Sequence, residues 1–496
     1  MIAFFKSTTT AALSLLVGLV LVAAFGVDAS LGQADGRAQG KPNIVFVLTD
    51  DQMPGTENRM PALQRDVVQK GVKFTNMTST FPLCCPGRAT LLRGQYAHNT
   101  QIYGNSAPAG GWEKFKAKKL HESTVATWLH KENYQTGHFG KLMNNYRERT
   151  IPPGYDRWYA WNGVDMGWTS VNDQGKQKPL DRQEADSLVA DEALEFLSNR
   201  LRGDSPPVFA SVNFGAMHQP FAHSEIDGNK FRGEKVPRTP AFNEADVRDK
   251  PSYVRGQPKL SKEKVSRLDQ DYRNGLRSLM RVDRFIADAI DLLRRRGELD
   301  NTYFVFYTDN GVHFGQHRFE HGKLQPYEED VNFPLIVRGP GIPPGKVNTS
   351  LVGNHDVAPT FADIAGATAP DFVDGRSALD LAKNPSTPWP RTAILSEREV
   401  DGRPPNRWDM LRMKDEEGVK VYTRHQTGEV RKEYYDLAPD VDPHQLHNAL
   451  GPEDTTYPPP DGATLAYYEE RLDDLYDCGA DGPMTCEQAE NAPLLP

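Results

Sequence analysis

The sequence predicts an α/β fold in which helices cover both faces of a mainly parallel sheet. The evidence is three short, continuous apolar runs, polar residues at the carboxyl end of each, and helical spacing between them. Continuous apolar runs are typical of strands that are buried on both faces. With 496 residues, 38% of them hydrophobic, the chain can form one large domain and a smaller one.

The three predicted strands come from distant parts of the chain. The first is Ile44 to Leu48, which is rich in β-branched residues. The second, Val208 to Phe214, follows Pro206-Pro207, and the third, Tyr303 to Tyr307, follows the turn-like sequence Leu299-Asp300-Asn301. Their separation requires long connections, which an α/β fold provides as helices.

The clearest predicted helix extends from about Ser261 to Arg296, where apolar residues form one stripe at helical spacing. A Pro-rich stretch from Asn384 to Pro390 predicts a linker. We therefore predict a large domain over residues 41–385 and a small C-terminal domain over residues 391–496. Cys478 and Cys486 can form a disulfide in an oxidising compartment and would then fix a loose C-terminal tail.

The first residues of the chain have the features of a secretory signal. Lys6 precedes an apolar stretch from Ala11 to Val27, and small residues ending at Ala29 complete the pattern. We predict a signal peptide over residues 1–29 and an exported protein, which is secreted, periplasmic or lysosomal according to the host. A retained membrane anchor is the alternative, but Ser14 and Gly18 interrupt the apolar stretch, and we expect no stable membrane association.

Composition excludes some partners and leaves one pair of cysteines to be explained. The formal net charge is −9 and no block of five or more basic residues occurs, so we expect no nucleic-acid partner. An anionic substrate must therefore be bound by local charges. Cys84 and Cys85 are adjacent, and adjacent cysteines rarely form a structural disulfide with each other, so this pair needs another role.

Polar residues follow each predicted strand. Asp50 and Asp51 follow the first, His218 lies shortly after the second, and Asp309 and Asn310 follow the third. In open α/β sheets ligands bind outside the carboxyl ends of the strands, so these residues should converge. Hard oxygen ligands suit calcium or magnesium, and adjacent carboxylates such as Asp50 and Asp51 repel each other unless a cation neutralises them.

The stretch from Pro82 to Gly94 contains a C-x-P-x-R pattern, formed by Cys84, Pro86 and Arg88. Together with the acidic strand ends, this pattern resembles the signature of the sulfatase family, in which the first cysteine is oxidised after synthesis to formylglycine. The N-acetylglucosamine-6-sulfatase branch is the most similar, on the segments Leu83 to Pro86, Gly140 to Asn144, Asp309 to Arg318 and Gly322 to Glu329.

The resemblance implies an alkaline-phosphatase-like large domain, with a central mostly parallel sheet, and a small C-terminal domain with an antiparallel sheet. It also implies calcium, with magnesium as the alternative, and hydrolysis of a sulfate ester on a sugar or aryl group. A formylglycine-generating enzyme would be the maturation partner. The implied metal ligands are Asp50, Asp51, Cys84 as formylglycine, Asp309 and Asn310.

The resemblance further implies the roles of the basic residues. Arg88 would hold the hydrated formylglycine, Lys141 and Lys323 would bind the sulfate, and His218 would bind substrate and protonate the leaving alcohol. Three further histidines lie near the third strand end and are weaker candidates for substrate contact, namely His313, His317 and His321.

Two positions depart from the family pattern. Gly87 stands where the signature usually has Ser or Ala, which could make maturation of Cys84 inefficient. Many sulfatases have a histidine two residues after the lysine that corresponds to Lys141, whereas this chain has Met143, followed by Asn144. The group that assists sulfate expulsion is therefore unassigned, since an amide is no base.

Two other functions fit the same residues. A phosphate or phosphonate ester hydrolase of the same superfamily would share the metal site and the formylglycine. An inactive glycan-binding relative would keep the fold, but the full set of site residues argues against it.

Overall fold

The structure is a computed structural model that describes residues 40–164, 167–202, 205–399, 407–426, 431–452 and 456–494. The predicted signal peptide over residues 1–29 lies outside the described residues. In the described ranges, no helix combines the length and the hydropathy needed to cross a bilayer.

The strands of the described residues form one large sheet, one small sheet and two short pairs. In chain order they are β1 (Asn43–Thr49), β2 (Val72–Phe74), β3 (Met77–Thr78), β4 (Gln135–Gly140), β5 (Arg157–Val164), β6 (Gly167–Asp173), β7 (Lys176–Pro179), β8 (Val208–Asn213), β9 (Thr302–Thr308), β10 (His313–Phe314), β11 (His321–Gly322), β12 (Leu335–Arg338), β13 (Lys346–Asn348), β14 (Val352–Gly353), β15 (Ala393–Arg398), β16 (Trp408–Lys414), β17 (Val419–His425) and β18 (Lys432–Asp436).

The large sheet has ten strands in the order β13-β2-β12-β9-β1-β8-β4-β5-β6-β7. Its five central strands, β9-β1-β8-β4-β5, are parallel. Antiparallel pairs adjoin them on both sides, and the outermost strand β13 pairs with β2 in parallel. In the centre Leu48 of β1 lies opposite Asn213 of β8 and Tyr307 of β9, so the three strands end together. The α/β prediction is confirmed, and the three apolar runs are neighbouring central strands.

The α-helices of the described residues are α1 (Cys84–Arg93), α2 (Ala97–Thr100), α3 (Gly111–Ala117), α4 (Val125–Lys131), α5 (Ala185–Arg200), α6 (Ser252–Arg255), α7 (Lys262–Arg296), α8 (Glu328–Val331), α9 (Val357–Ala365), α10 (Leu379–Lys383), α11 (Gly462–Asp477) and α12 (Cys486–Asn491). The long helix α7 matches the predicted stripe. The Ser261 side chain accepts a hydrogen bond from Lys264 N at its start, and Gly297, with φ 72°, ends it.

The second sheet is antiparallel, in the order β15-β16-β17-β18, as the resemblance implied. Its apolar face packs with α11 in a cluster that includes Leu395, Leu411 and Leu472. Cys478 and Cys486 form a disulfide between α11 and α12. The expectation of a loose C-terminal tail was wrong, because both helices bury apolar side chains against this sheet.

A buried ionic network ties α12 to the rest of the chain. One carboxylate oxygen of Glu490 accepts hydrogen bonds from Tyr96 Oη at 2.6 Å and from His355 Nε2 at 2.8 Å. The other accepts from Arg391 Nε at 2.7 Å and from Arg376 Nη2 at 2.8 Å. Burial alone would raise the pKa of Glu490, but Arg391 and His355 lower it to about 2, so the buried carboxylate is charged.

Candidate active site

The carboxyl ends of the central parallel strands carry the predicted polar residues. Asp50 and Asp51 directly follow β1, and Asp309 directly follows β9, its neighbour in the sheet. The backbone ties β1 to the loop after β8, because Asp50 N donates to Ala216 O at 2.8 Å and Met217 N donates to Asp50 O at 2.6 Å. Asp51 has φ 51°, a left-handed conformation that non-glycine residues seldom adopt outside constrained sites.

Cys84 is the first residue of α1 and points at these strand ends. Its Sγ lies 3.6 Å from Asp50 Oδ1 and 3.9 Å from Asp51 Oδ1. Lys323 follows β11, and its ammonium donates to the same sulfur at 2.8 Å. Cys84 is only 1% exposed, so its side chain is enclosed among these groups.

Arg88, one helical turn after Cys84, connects three parts of the site. Its Nε donates to Asp309 Oδ2 at 2.8 Å, its Nη1 to the Lys141 carbonyl at 2.7 Å, and its Nη2 lies 3.4 Å from Asp50 Oδ2. The side chain is 2% exposed. A buried guanidinium with three acceptors fixes the helix start against the strand ends.

Two ammonium groups and one imidazole face the aspartates. Lys141 Nζ contacts Asp50 Oδ2, and Lys323 Nζ contacts Asp51 Oδ1. His218 Nε2 lies 3.2 Å from Asp51 Oδ2, while its Nδ1 lies 2.7 Å from the Gln219 carbonyl. Since a carbonyl and a carboxylate both only accept, both contacts are hydrogen bonds when the ring is doubly protonated.

The charges of the site hold one another in place. Burial alone would raise the pKa values of both aspartates, but Lys141 and Arg88 keep that of Asp50 below its usual range, and Lys323 with other cations lowers that of Asp51 to about 2. Burial raises the pKa of the Cys84 thiol, although Lys141 and Lys323 oppose the shift. The site therefore contains charged carboxylates beside a neutral thiol.

The donor set suits a hard divalent cation. Ligand atoms of Asp50, Asp51, Cys84 and His218 all lie within 4.8 Å of one another. Asn310 donates its Nδ2 to Asp51 Oδ1 at 2.7 Å, and its Oδ1 is buried with no hydrogen-bond partner in the described structure. An orphaned amide oxygen beside two carboxylates matches the preference of calcium and magnesium for oxygen.

The residues whose ligand atoms lie together in the structure are not the same as the metal ligands expected from sequence. His218, predicted to bind substrate and to protonate the leaving alcohol but not to hold the metal, belongs to the compact group of potential ligands. Asp309 is connected to that group by two hydrogen bonds. Its Oδ2 accepts from Arg88 Nε, and its Oδ1 accepts from Asp51 N at 3.2 Å. The ligand roles of Asp309 and Asn310 thus remain predictions, supported by their position beside Asp51.

The residues at the two positions that depart from the family pattern lie in closely packed surroundings. A Cβ at Gly87 would lie 2.6 Å from the Asp309 carbonyl oxygen, so α1 approaches β9 too closely for a side chain there. Met143 is buried in an apolar cluster with Leu142. The backbone N of Asn144 donates to Cys85 Sγ at 3.2 Å, which gives the second cysteine a structural contact that sequence reasoning missed.

The three weaker histidine candidates have other partners. His313 Nδ1 lies 2.8 Å from Asp330 Oδ1, and His317 Nδ1 lies 2.7 Å from Glu244 Oε2. His321 packs edge-on against Phe314, and burial lowers its pKa to about 3, so it is neutral at physiological pH. None of these contacts involves the group around Cys84.

Comparison with known proteins assigns the family. The family model described as Sulfatase matches residues 42–367. The chain belongs to the sulfatase family. A second model, described as the C-terminal part of N-sulphoglucosamine sulphohydrolase, matches residues 315–456. The family predicted from the C-x-P-x-R pattern and the acidic strand ends is confirmed.

Sulfatases of several organisms are similar to this chain. An extracellular sulfatase SULF-1 homolog of Drosophila melanogaster is 34% identical over 70% of this chain and 32% of its own length. A putative extracellular sulfatase of Caenorhabditis elegans is 33% identical over 72% and 52%. The chain thus spans a third to a half of these two relatives. A human N-acetylglucosamine-6-sulfatase is 30% identical over 78% of this chain and 71% of its own length.

Solved structures share the sulfatase fold. One, determined in complex with its substrate D-glucosamine-2-N,6-O-disulfate, has a TM-score of 0.71 and 22% identity, covering 88% of this chain and 97% of its own. A phosphonate monoester hydrolase from Silicibacter pomeroyi has a TM-score of 0.67 and 20% identity, covering 87% and 94%. At such identities the likeness concerns the fold alone.

Proposed function

We propose that this sulfatase-family protein hydrolyses sulfate esters of a sulfated sugar, using a formylglycine made from Cys84 and a bound calcium ion. The observation that carries the proposal is the position of Cys84. Its sulfur is enclosed by Asp50, Asp51 and the Lys323 ammonium, all within 4 Å. Such a site brings a nucleophile position, a cation site and sulfate-binding charge together.

The unmodified thiol is poorly suited to attack sulfur. Burial raises its pKa, so the thiolate is scarce at neutral pH. The hydrated aldehyde that the modification produces supplies two hydroxyls, one to attack sulfur and one to expel sulfate afterwards. Arg88, one turn along α1, is placed to hold this group through its guanidinium, which already contacts Asp50 and Asp309.

Asp50, Asp51, Asp309 and Asn310 would hold the calcium ion, with residue 84 as a further ligand. When bound, the ion supplies positive charge that polarises sulfate oxygens and favours the deprotonated nucleophile. The orphaned Asn310 Oδ1 supports this ligand set, because a buried amide oxygen needs a partner. Magnesium is the alternative ion, since it accepts the same ligand atoms.

The two lysines and the histidine would act on the substrate. The Lys323 ammonium contacts Cys84 Sγ, and the Lys141 ammonium contacts Asp50, which lies beside Cys84. Both lysines can therefore bind the sulfate oxygens and neutralise developing charge. His218 points both ring nitrogens at oxygen acceptors, so its doubly protonated form can donate from either nitrogen. A protonated His218 can give its proton to the leaving alcohol.

The relatives support a sulfated glycan as substrate and an exported protein. Several are named N-acetylglucosamine-6-sulfatase, and two are named as extracellular sulfatases. Maturation would need a formylglycine-generating enzyme as partner. Since Cys84 is 1% exposed, that enzyme would have to reach it before the chain folds.

The first test is the mass of the peptide that contains Cys84, taken from the protein after export. We expect a fraction lighter than the cysteine form, as conversion of a thiol to an aldehyde requires. A peptide found only as cysteine in an otherwise active protein would overturn the formylglycine mechanism. An inactive protein with the unmodified peptide in every maturation-competent host would favour the glycan-binding alternative.

The second test compares 4-nitrophenyl sulfate with 4-nitrophenyl phosphate and a phosphonate monoester at equal concentration. Sulfate and phosphate monoesters differ in charge, so one site cannot stabilise both transition states equally. We expect the highest kcat/KM for the sulfate. A higher kcat/KM for either phosphorus ester would show that the reaction is phosphate or phosphonate ester hydrolysis instead.

A further inference from the structure

A second cleft opens beside His218. One wall is the β5–β6 hairpin, which contributes Trp161 and Trp168, and another is the start of α5 with the residues before it, which contribute Arg182 and Asp186. His218 and the residues after it complete the lining. The cleft is therefore continuous with the side of the active site that would receive the leaving alcohol.

Two cations lie near the Trp168 ring. Lys141 Nζ is 5.9 Å from the centroid of its ring, and Arg182 Cζ is 5.8 Å from the same centroid. The Trp161 ring packs beside it at 4.5 Å. Lys141 belongs to the proposed sulfate site, so Arg182 provides a second positive charge beside the same indole ring.

No acid within ion-pair distance neutralises Arg182 in the described part of the chain. It donates one hydrogen bond, from Nη2 to the Gln219 carbonyl at 3.3 Å. Burial lowers the pKa of Arg182, and no neighbouring carboxylate opposes the shift. The carboxylate in the cleft, Asp186, is engaged elsewhere, since its oxygens accept from Gly215 N at 2.7 Å and Ala216 N at 3.2 Å.

Trp161 supplies an independent sign of a missing partner. Its side chain is 1% exposed, and its Nε1 is buried with no hydrogen-bond acceptor among the described residues. Buried indole N–H groups usually find an acceptor. Gly215 lies against both rings, since a Cβ on it would be 3.2 Å from the Trp161 ring and 3.4 Å from the Trp168 ring.

We propose that this cleft binds a second anionic group of the substrate, a sulfate or a carboxylate, and that Arg182 is the residue that selects for it. The inference rests on the proposed function, because His218 must face the leaving alcohol for the cleft to receive the remainder of the sugar. Arg182 would pair with the anionic group.

The test measures the dissociation constants of matched ligands by calorimetry, using the full chain with Cys84→Ser so that no ligand is consumed. One arm compares glucosamine 2-N,6-O-disulfate with N-acetylglucosamine 6-sulfate. The other compares a disaccharide, a uronate joined to N-acetylglucosamine 6-sulfate, with its methyl ester. We expect the extra anionic group to improve affinity roughly tenfold or more in one arm, as a charge-assisted hydrogen bond does. The arm that responds identifies the group as sulfate or carboxylate.

Three variants then assign the preference to a residue. In Arg182→Ala the preference should fall to about one, while Arg182→Lys should keep part of it because the charge is retained. Lys176→Ala removes an exposed cation of the adjacent β7 that does not line the cleft, and it should leave the preference unchanged.

Equal affinities in both arms, or no binding of the doubly anionic ligands, would overturn the proposal, as would a preference that survives Arg182→Ala. A failure of the proposed function is a separate result. It would appear as absence of 4-nitrophenyl sulfate turnover by the mature protein with residue 84 intact, whatever the calorimetry gives.

Discussion

Trp408 does not contact the reacting groups, but replacing it with Phe should slow catalysis. Trp408 lies in β16 of the small sheet, opposite Arg398 of β15. The indole Nε1 and Arg398 Nη1 both donate to the Leu324 carbonyl at 3.1 Å. Leu324 follows Lys323 directly and has φ 75°, a left-handed conformation that costs a leucine on the order of 1 kcal/mol or more. The small sheet therefore holds the backbone beside Lys323 in an unfavourable conformation.

The magnitude follows from losing one of two donors. A neutral hydrogen bond contributes about 1 kcal/mol net, and the carbonyl keeps its bond to Arg398, so Trp408→Phe should lower the productive Lys323 population about fivefold. We expect a fall of that size in kcat/KM for 4-nitrophenyl sulfate. The melting temperature should drop by less than about 4 °C, since the same loss is spread over a large chain.

A matched control exists in the same protein. The Leu351 carbonyl also accepts from an indole and an arginine, Trp389 Nε1 at 2.7 Å and Arg391 Nη1 at 3.4 Å. Trp389→Phe should therefore lower stability similarly and leave kcat/KM unchanged. If both variants slow turnover equally, or if Trp408→Phe has its full effect in a Lys323→Ala background, the small sheet does not act through Lys323.

Three further predictions concern the nucleophile, the metal and the pH dependence. Cys84→Ser should fold with an unchanged melting temperature but lose turnover by on the order of a thousandfold or more, measured with 4-nitrophenyl sulfate; near-normal rates would refute the nucleophile assignment. Chelation should lower the melting temperature of the mature protein and excess calcium should restore it, whereas no response would argue against a bound ion. Burial raises the pKa of Asp186 to about 6, above its ordinary 3.8, so its protonated form favours the folded state. Its contribution to stability should be complete below pH 3.8 and decline toward pH 6, and urea denaturation should give a flatter profile for Asp186→Asn; identical profiles would contradict the shift.

The central strands and their polar ends could be predicted from sequence because the signal is local. An apolar run such as Ile44 to Leu48 identifies a buried strand by itself, and the position of Asp50 at its end follows. The apolar stripe of α7 predicted a helix equally clearly, since the helix continues over 35 residues. These elements place Asp50, Asp51 and Asp309 at one edge of the sheet.

Contacts between distant segments were not predictable in this way. Toward one edge of the large sheet short strands pair with each other, such as β2 with β12, and their sequences have no distinctive period. The cleft beside His218 needs Trp161 and Trp168 from a hairpin and Arg182 from another segment. The density of tryptophan between Trp158 and Trp168 was the available signal, but aromatic residues are more often core than binding surface.

The network around Glu490 has a consequence for biosynthesis. Tyr96 and Glu490 are 394 positions apart, yet the carboxylate is the shared acceptor of a phenol, an imidazole and two guanidinium groups. During translation about a hundred residues are added after Arg391 before Glu490 is made. A nascent chain that stops short of residue 490 leaves a guanidinium in the interior with less compensating charge, which is costly. Frameshifts or premature stop codons between these two positions should therefore yield protein that quality-control proteases degrade, even though every residue around Cys84 has been made.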